Sequence, residues 1–396
     1  MSDHPFYITW TAQKKAYTLP IIGAKKGYFL TDENRKIYDL CSTSYQAAFG
    51  HSDKTIKGAI KKQLDQFSIA SPKSVFDLKT TATNKLLELI SLKGKIFYTV
   101  SGAESIENAL KMCRQITGRK IILSRNNSYH GATLGALSVT GDWRNKDHLT
   151  VDQWTKRIPE PSNDPHALDL EKLILKIGPE KIAGFCLETI TGGNGVIIPP
   201  TSWWKAIKRL QTKYNLMLIL DEVICGFGRT EKHFGFQHFN LKPDFICMAK
   251  IITGGYIPFG AVWTSNSVAK YYKSNTLSCG LTNYAHPLAL AAMEAVIDIL
   301  NSKEHIVHFQ KLLHVFENSI ETFYKLENIK EIRQIGLLMA IDLKENISIE
   351  KFIEAGVLVA SVKNHIVLAP PYCLSESELR RNLKIVCHVI KENYHE

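Results

Sequence analysis

An apolar run that ends on a carboxylate, followed by an apolar run that ends on a lysine, constrains this chain more than any other feature. Leu218-Ile219-Leu220 leads into Asp221-Glu222-Val223, and Phe245-Ile246-Cys247-Met248-Ala249 leads into Lys250. Each run has the length and the β-branched or aromatic content of an interior strand. Each leaves an ionisable group where a strand meets a loop, and ligands of open α/β sheets sit at the C-terminal ends of strands. A structural salt bridge between neighbouring strands accounts for the same two residues equally well.

The residues after the lysine favour chemistry. Ile251-Ile-Thr253-Gly254-Gly255-Tyr-Ile-Pro258-Phe-Gly260 is turn sequence, rich in small or ring-locked residues that let backbone approach a ligand closely. A lysine on such a loop, opposite an aspartate, suits a Schiff-base enzyme that uses pyridoxal phosphate (PLP). The amine forms the imine. The aspartate keeps the pyridine nitrogen protonated and the ring an electron sink.

A chain of 396 residues is long for one simple core and suits two domains. The formal net charge of +11 raises the question of nucleic acid. The lysines are scattered, however. Lys14-Lys15, Lys25-Lys26 and Lys61-Lys62 are isolated pairs, and no basic run reaches five residues, so the excess reads as solvated surface. None of the eight cysteines forms a CxxC pair, and Cys186 and Cys247 lie inside apolar runs, the usage of a reducing compartment. The N-terminal Met-Ser-Asp-His-Pro lacks a basic-then-apolar pattern, and no 18-residue apolar run occurs, so neither a signal peptide nor a membrane span is expected. The expectation is a cytoplasmic enzyme that binds no nucleic acid, membrane or metal.

Along the chain, residues 1–30 read as irregular and aromatic, and a hairpin is expected around Asp32–Lys36. Helical periodicity marks 54–66, 78–91, 201–214, 287–300, 303–326, 350–356 and 376–393. Strands are expected at 95–100, 119–124, 182–187, 258–264, 332–343, 357–360 and 365–369, and 141–170 as a long surface excursion. Strand 95–100 runs into Ser101-Gly102-Ala103-Glu104, where Ser at the N-cap and Glu three residues on form a capping box. A strand, a tight turn of small residues and a helix make an anion site, although many βα units share that look. Tyr129-His130 beside Gly131 reads either as loop packing or as a cofactor platform. Strands alternating with helices predict a mainly parallel sheet covered on both faces, with a separate α+β tail.

With these motifs assembled, the chain resembles the class III (omega-type) aminotransferases of PLP fold type I, nearly end to end. The resemblance rests on Ser101-Gly-Ala-Glu with Glu107 and Ala109-Leu-Lys, on Ser128-Tyr-His-Gly-Ala-Thr, and on Asp221-Glu-Val with Gly226-Phe-Gly-Arg-Thr. It rests also on Pro243-Asp with Ala249-Lys250, and on Gly280-Leu-Thr282 with His286-Pro287. Tyr7-Ile-Thr-Trp10-Thr-Ala-Gln13 is most similar to the branch acting on taurine and other omega-amino acids. The resemblance implies an α/β chain with a large PLP-binding domain at 49–299, built on a seven-stranded sheet. Residues 1–48 and 300–396 would make a smaller α+β domain.

It also implies roles. Lys250 carries the cofactor and moves the substrate proton. Asp221 pairs with the pyridine nitrogen, supported by Glu188. Val223 and Tyr129 take the two ring faces, and Ser101, Gly102 and Ala103 bind the phosphate. Thr282 completes the phosphate site of the neighbouring subunit in a homodimer with shared active sites. Trp10 and Tyr45 wall the pocket for a small amine or oxo acid, and Arg229 and Arg333 serve structure. The sequence departs from the family at Thr189, where proline is usual, and at Glu231, where glycine is usual. It departs again at Ala360, near where many omega-aminotransferases carry an arginine that grips the substrate carboxylate. Lys363 is close to that position but lacks a bidentate fork.

The function expected is transfer of an amino group from a primary amine or omega-amino acid to a 2-oxo acid, aldehyde or ketone. An isomerase, aminomutase, racemase or decarboxylase on the same scaffold is the alternative. A PLP-binding regulatory domain would need a fused DNA-binding segment, and no helix-turn-helix precedes residue 50.

Overall fold

The computed structural model describes residues 4–362 and 364–394. Its central element is a seven-stranded sheet in the spatial order Gly94–Thr99, Gly260–Ser265, Phe245–Met248, Met217–Asp221, Ile182–Glu188, Ile121–Arg125, Thr155–Ile158. Gly260–Ser265 runs against both its neighbours, and the other six run parallel. Ile182–Glu188 and Phe245–Met248 are buried at every position, as expected where helices cover both faces. In the register, Glu188 lies opposite Asp221, and Asp221 opposite Cys247. The two acidic residues and the lysine loop therefore leave the sheet at one edge.

Local chemistry explains the helices around this sheet. Asp53 caps Lys54–Gln66 by accepting from the Ile56 N–H at 2.9 Å. Ser101 caps Gly102–Thr117 by accepting from Glu104 N at 3.2 Å, and Glu104 reaches back to Val100 N at 2.9 Å, one residue beyond the usual capping-box partner. That helix stops at Gly118, whose φ of +66° suits a left-handed C-cap. Pro287–Leu300 is apolar almost all round because it packs between Lys54–Gln66 and Asp77–Ile90.

Two smaller sheets join chain segments that are distant in sequence. One has the order Gly23–Lys25, Tyr28–Leu30, Lys36–Asp39, Val357–Leu358; the other Ile329–Ile335, Leu338–Leu343, His365–Leu368, Ala360–Val362. The hairpin expected around Asp32–Lys36 is present, and part of the stretch read as irregular, Gly23–Lys25 with Tyr28–Leu30, is also paired.

Three expectations are corrected. Residues 332–343 are not one strand but the end of a hairpin: Gly336 turns at φ +54°, and a Cβ there would lie 2.5 Å from the Thr230 carbonyl carbon. Residues 357–360 are split between two sheets, pairing first with Lys36–Asp39 and then with His365–Leu368. The excursion at 141–170 contains Thr155–Ile158, the edge strand of the large sheet. Four residues rich in charge gave it no apolar signature, because an edge strand is covered on fewer sides.

Candidate active site

Asp221 and Glu188 are both buried at the sheet edge, and each is tied down by named donors. His130 Nδ1 lies 2.8 Å from Asp221 Oδ2, and the Val223 N–H donates to Oδ1 at 3.0 Å. Glu188 accepts from Tyr129 N at 3.2 Å and from Gly192 N at 2.9 Å, joining two loops that wall the site. Burial raises the Glu188 carboxyl above the usual carboxylate range.

The neighbouring Glu222 is fully buried, and burial pushes it up to about 7. It accepts from Gly235 N and Phe236 N at 2.7 Å each and from the Thr189 hydroxyl at 2.6 Å. The threonine that replaces the family's proline thus supplies a donor to a buried acid. At the other departure, Glu231 takes a φ of +75°, a conformation that glycine adopts without strain.

Lys250 follows the buried strand Phe245–Met248 and itself takes a left-handed φ of +54°. Burial lowers its ammonium pKa, against the pull of Asp221 and Glu188. Gly254 and Gly255 follow at φ +62° and +80°, and Cβ atoms there would meet Ile56 and Gln46 at 3.2 and 3.0 Å. These glycines turn the chain and admit the Lys54–Gln66 side of the molecule.

The Ser101-Gly102-Ala103 turn lies against the same edge. A Cβ on Gly102 would stand 3.1 Å from both Val223 methyls and 3.5 Å from the Ala249 Cβ, and one on Gly131 would stand 2.6 Å from the Ala103 Cβ. The helix start, Val223, the residue before the lysine and the Tyr129–Gly131 loop therefore surround one space. The first-turn N–H groups of Gly102–Thr117 have no partner within the helix, and its dipole favours an anion there.

Opposite this buried side lies a polar-aromatic wall that sequence reasoning only partly found. The Arg144 guanidinium sits 4.5 Å from the Tyr129 ring centroid, 4.9 Å from Trp143 and 5.5 Å from Trp10. Trp10 meets Tyr129 and Trp143 edge-on at 6.3 and 5.8 Å. Arg144 Nη1 donates to Asp142 Oδ2 at 2.5 Å, and Asn194 Nδ2 to the same oxygen at 3.1 Å. The charge of Arg144 is felt at Tyr45, Tyr129 and Lys250 alike.

Tyr45 is buried, with its ring centroid 5.9 Å from Lys250 Nζ. It ends a run in which Ser42, Thr43, Ser44 and Tyr45 take φ values of 46°, 46°, 59° and 74°. Left-handed backbone costs non-glycine residues roughly 1–2 kcal/mol each, so such a run needs outside support.

The structure thus brings together Lys250, Asp221, Glu188, Val223, Tyr129, Gly102, Ala103 and Tyr45, with Trp10 at the rim. Thr282 is exposed on the single chain. Ala360 is half-buried in its strand, and Lys363 lies outside the described residues. Arg229 donates to the carbonyls of Leu337 and Pro370, and Arg333 forms a bidentate pair with Asp342 and donates to the Gly195 carbonyl. Sequence reasoning missed His130 and Arg144 as site residues. The motif around Tyr129-His130 marked His130 locally, but its partner Asp221 lies 91 positions away, so the contact itself had no local signal. Arg144 sits in the stretch read as surface, where the one hint was the adjoining Trp143.

Residues 11–390 match the family model of the class-III aminotransferases. The chain belongs to that family. A gamma aminobutyrate transaminase of Solanum lycopersicum is 30% identical over 437 residues, covering 98% of this chain and 94% of its own. The adenosylmethionine-8-amino-7-oxononanoate aminotransferase of Helicobacter pylori is 30% identical over 411 residues, covering 94% and 93%. Among solved structures, taurine:2-oxoglutarate aminotransferase from Bifidobacterium kashiwanohense, in complex with PLP and glutamate, superposes with a TM-score of 0.90 at 28% identity, covering 98% and 96%.

The chain is accordingly a PLP-dependent enzyme of fold type I that transfers amino groups, and the isomerase and decarboxylase alternatives are not favoured. The site fits the cofactor: a helix N-terminus for the phosphate, a narrow gap kept by Gly102 beside Val223, a buried carboxylate and a half-buried lysine whose amine has a lowered pKa.

Proposed function

We propose that this class III aminotransferase takes as amino donor an omega-amino acid, one whose far end carries a carboxylate or sulfonate, and passes the amino group to a 2-oxo acid. The observation that carries this reading is Arg144, a guanidinium held among Trp10, Tyr129 and Trp143, whose charge acts on Tyr45 and Lys250. A stacked, planar fork suits an acidic group, and it offsets the absence of arginine at position 360. The relatives named for gamma-aminobutyrate and taurine supply the candidate donors.

In this reading Lys250, Asp221, Glu188, Val223, Tyr129, Ser101, Gly102 and Ala103 hold PLP. Bound there, the cofactor supplies an aldehyde carbon to receive the amine and a ring that spreads the charge left at the substrate carbon. The Lys250 Nζ, favoured in its neutral form by desolvation, would carry the proton from that carbon to the carbon supplied by the cofactor aldehyde, which is what makes the exchange a transfer of the amino group. Asp221, fixed by His130 and the Val223 N–H, would hold the proton on the ring nitrogen. Trp10 and Tyr45 wall the substrate pocket.

We read residues 49–299 as the cofactor domain and 1–48 with 300–396 as the second domain. We also infer a homodimer in which the exposed Thr282 completes the neighbour's phosphate site. No helix among the described residues is long and apolar enough to cross a membrane. With all eight cysteines free, we place the enzyme in the cytoplasm.

The test is a donor panel of 4-aminobutyrate, β-alanine and taurine beside neutral alkylamines of matched length, run on the wild type and on Arg144→Gln. Acidic donors should be preferred, and that preference should vanish in the variant. Equal kcat/KM for neutral and acidic donors in the wild type would refute the reading. Light scattering of the purified enzyme tests the dimer, and a monomer with full activity would refute it.

A further inference from the structure

We propose that Asp39 is a positioning residue for the substrate pocket: through Thr43 it holds the left-handed turn Ser42–Tyr45 that sets Tyr45 against the Lys250 amine. The inference rests on the reading of Tyr45 as a pocket wall and assigns the support of that wall.

The turn does not support itself. Four successive non-glycine residues lie at positive φ, where the Cβ crowds the following carbonyl. Asp39 ends the strand Lys36–Asp39 and is fully buried. A buried carboxylate must be met by donors, and this one is met largely by the turn. Its Oδ2 accepts from the Thr43 hydroxyl at 2.7 Å, and its Oδ1 from Cys41 N at 3.3 Å. The Cys41 thiol lies 3.3 Å from Oδ1. Behind the carboxylate, His51 Nε2 stands 3.5 Å from Oδ2, with its ring tilted at 38° against Phe29 at 4.3 Å between centroids. Of the turn residues, Ser42 has its own anchor: its hydroxyl donates to the Ala369 carbonyl at 2.6 Å and accepts from Arg229 at 3.3 Å. Thr43, inside the turn, hangs on Asp39.

The consequence appears at the other end of the turn. The Tyr45 N–H donates to Cys41 O at 2.8 Å. The ring is thereby aimed at Lys250, with its hydroxyl 4.0 Å from where a Cβ on Gly193 would lie. Asp39 touches none of the residues assigned to the cofactor, yet it sets the angle of one assigned to the substrate. Ser44, by contrast, is solvent-exposed at φ +59° and carries the backbone strain without an anchoring role.

A double-mutant cycle on the holoenzyme tests this. Asp39→Asn and Thr43→Val should each raise donor KM by about tenfold, with kcat within about twofold. In a Tyr45→Ala background the same changes should move KM by less than about twofold, because the group they aim is gone. Ser44→Gly should raise the melting temperature and leave KM unchanged, which separates strain from positioning. A crystal structure of Thr43→Val should show the Tyr45 ring displaced from Lys250.

Additive KM effects in the cycle, or an unmoved Tyr45 in Thr43→Val, would overturn the proposal. Thr43→Val loses one hydroxyl at constant shape and stands in should Asp39→Asn fail to fold. If Tyr45→Ala alone leaves KM unchanged, the pocket reading of Tyr45 fails, and this inference fails with it. If Tyr45→Ala raises KM but the cycle is additive, only the role of Asp39 is lost.

Discussion

The two sides of the site are built by different means. On the side proposed for the cofactor, Asp221, Glu188 and Lys250 stand at the ends of neighbouring strands, and hydrogen-bonded register sets their separation. On the side proposed for the substrate, Trp10, Tyr45 and Arg144 come from an exposed N-terminal turn, a left-handed turn and the short 3-10 turn Trp143–Asn145. There no ladder sets the distances. Side chains do so instead: Gln13 clasps Ile8 through both its N–H and its carbonyl, Asp39 holds Thr43, and Asn194 holds Asp142. The lesson is that the residues proposed to hold the cofactor sit on regular structure. Those proposed to select the substrate sit on parts that a few substitutions can move without disturbing the sheet.

This contrast can be broken at several points. The largest effect is expected at Lys250→Ala, which should lower the rate of the first half-reaction by roughly 10⁴-fold or more, since both the attachment and the proton carrier are lost. Stopped-flow absorbance measures it. Borohydride reduction of the wild type, followed by peptide mapping, should mark Lys250 and no other lysine.

Next comes Arg144→Gln, expected to raise KM for acidic donors by about 10–100-fold, on the scale of a charge-assisted hydrogen-bond pair, while neutral amines change little. A uniform loss of kcat across all donors would place Arg144 on the cofactor side and erase the difference between the two sides.

A smaller effect is expected at His130→Phe. Removing one hydrogen-bond partner of the buried Asp221 should cost about tenfold in kcat for acidic and neutral donors alike. Steady-state kinetics with both donor types would show it, and a donor-dependent loss would contradict the assignment.

The smallest effect concerns stability. Glu222 is raised by burial to about 7, above its ordinary 4.5, so the folded state holds the proton more tightly than the unfolded chain. The associated stability is fully present below about pH 4.5 and is lost as pH rises through about 7. The melting temperature should therefore fall by a few degrees between about pH 5 and 8, and Glu222→Gln should flatten that slope. An unchanged slope in the variant would assign the pH dependence elsewhere.

What could be read without coordinates follows the same division. The strand at 218–221, the strand before Lys250, the capped helix after Ser101 and the buried helix at 287–300 each announce themselves through local periodicity or capping chemistry, and each is present. The hairpin at 329–343 and the split of 357–362 between two sheets were not legible. The first depends on Gly336 meeting Thr230, and the second on Lys36–Asp39 offering an edge more than 300 positions earlier.

By itself the sequence determined the family and the fold class and nominated the residues proposed to hold the cofactor, because those depend on residue type at strand ends and on spacing along one chain. Only the tertiary structure decided that His130 supports Asp221, that Arg144 stands among three aromatic rings, and that Asp39 holds the turn beneath Tyr45. The reason is physical. Such contacts join segments far apart in the chain across distances of a few ångströms, and nothing in the local preference of a residue records which distant group will meet it.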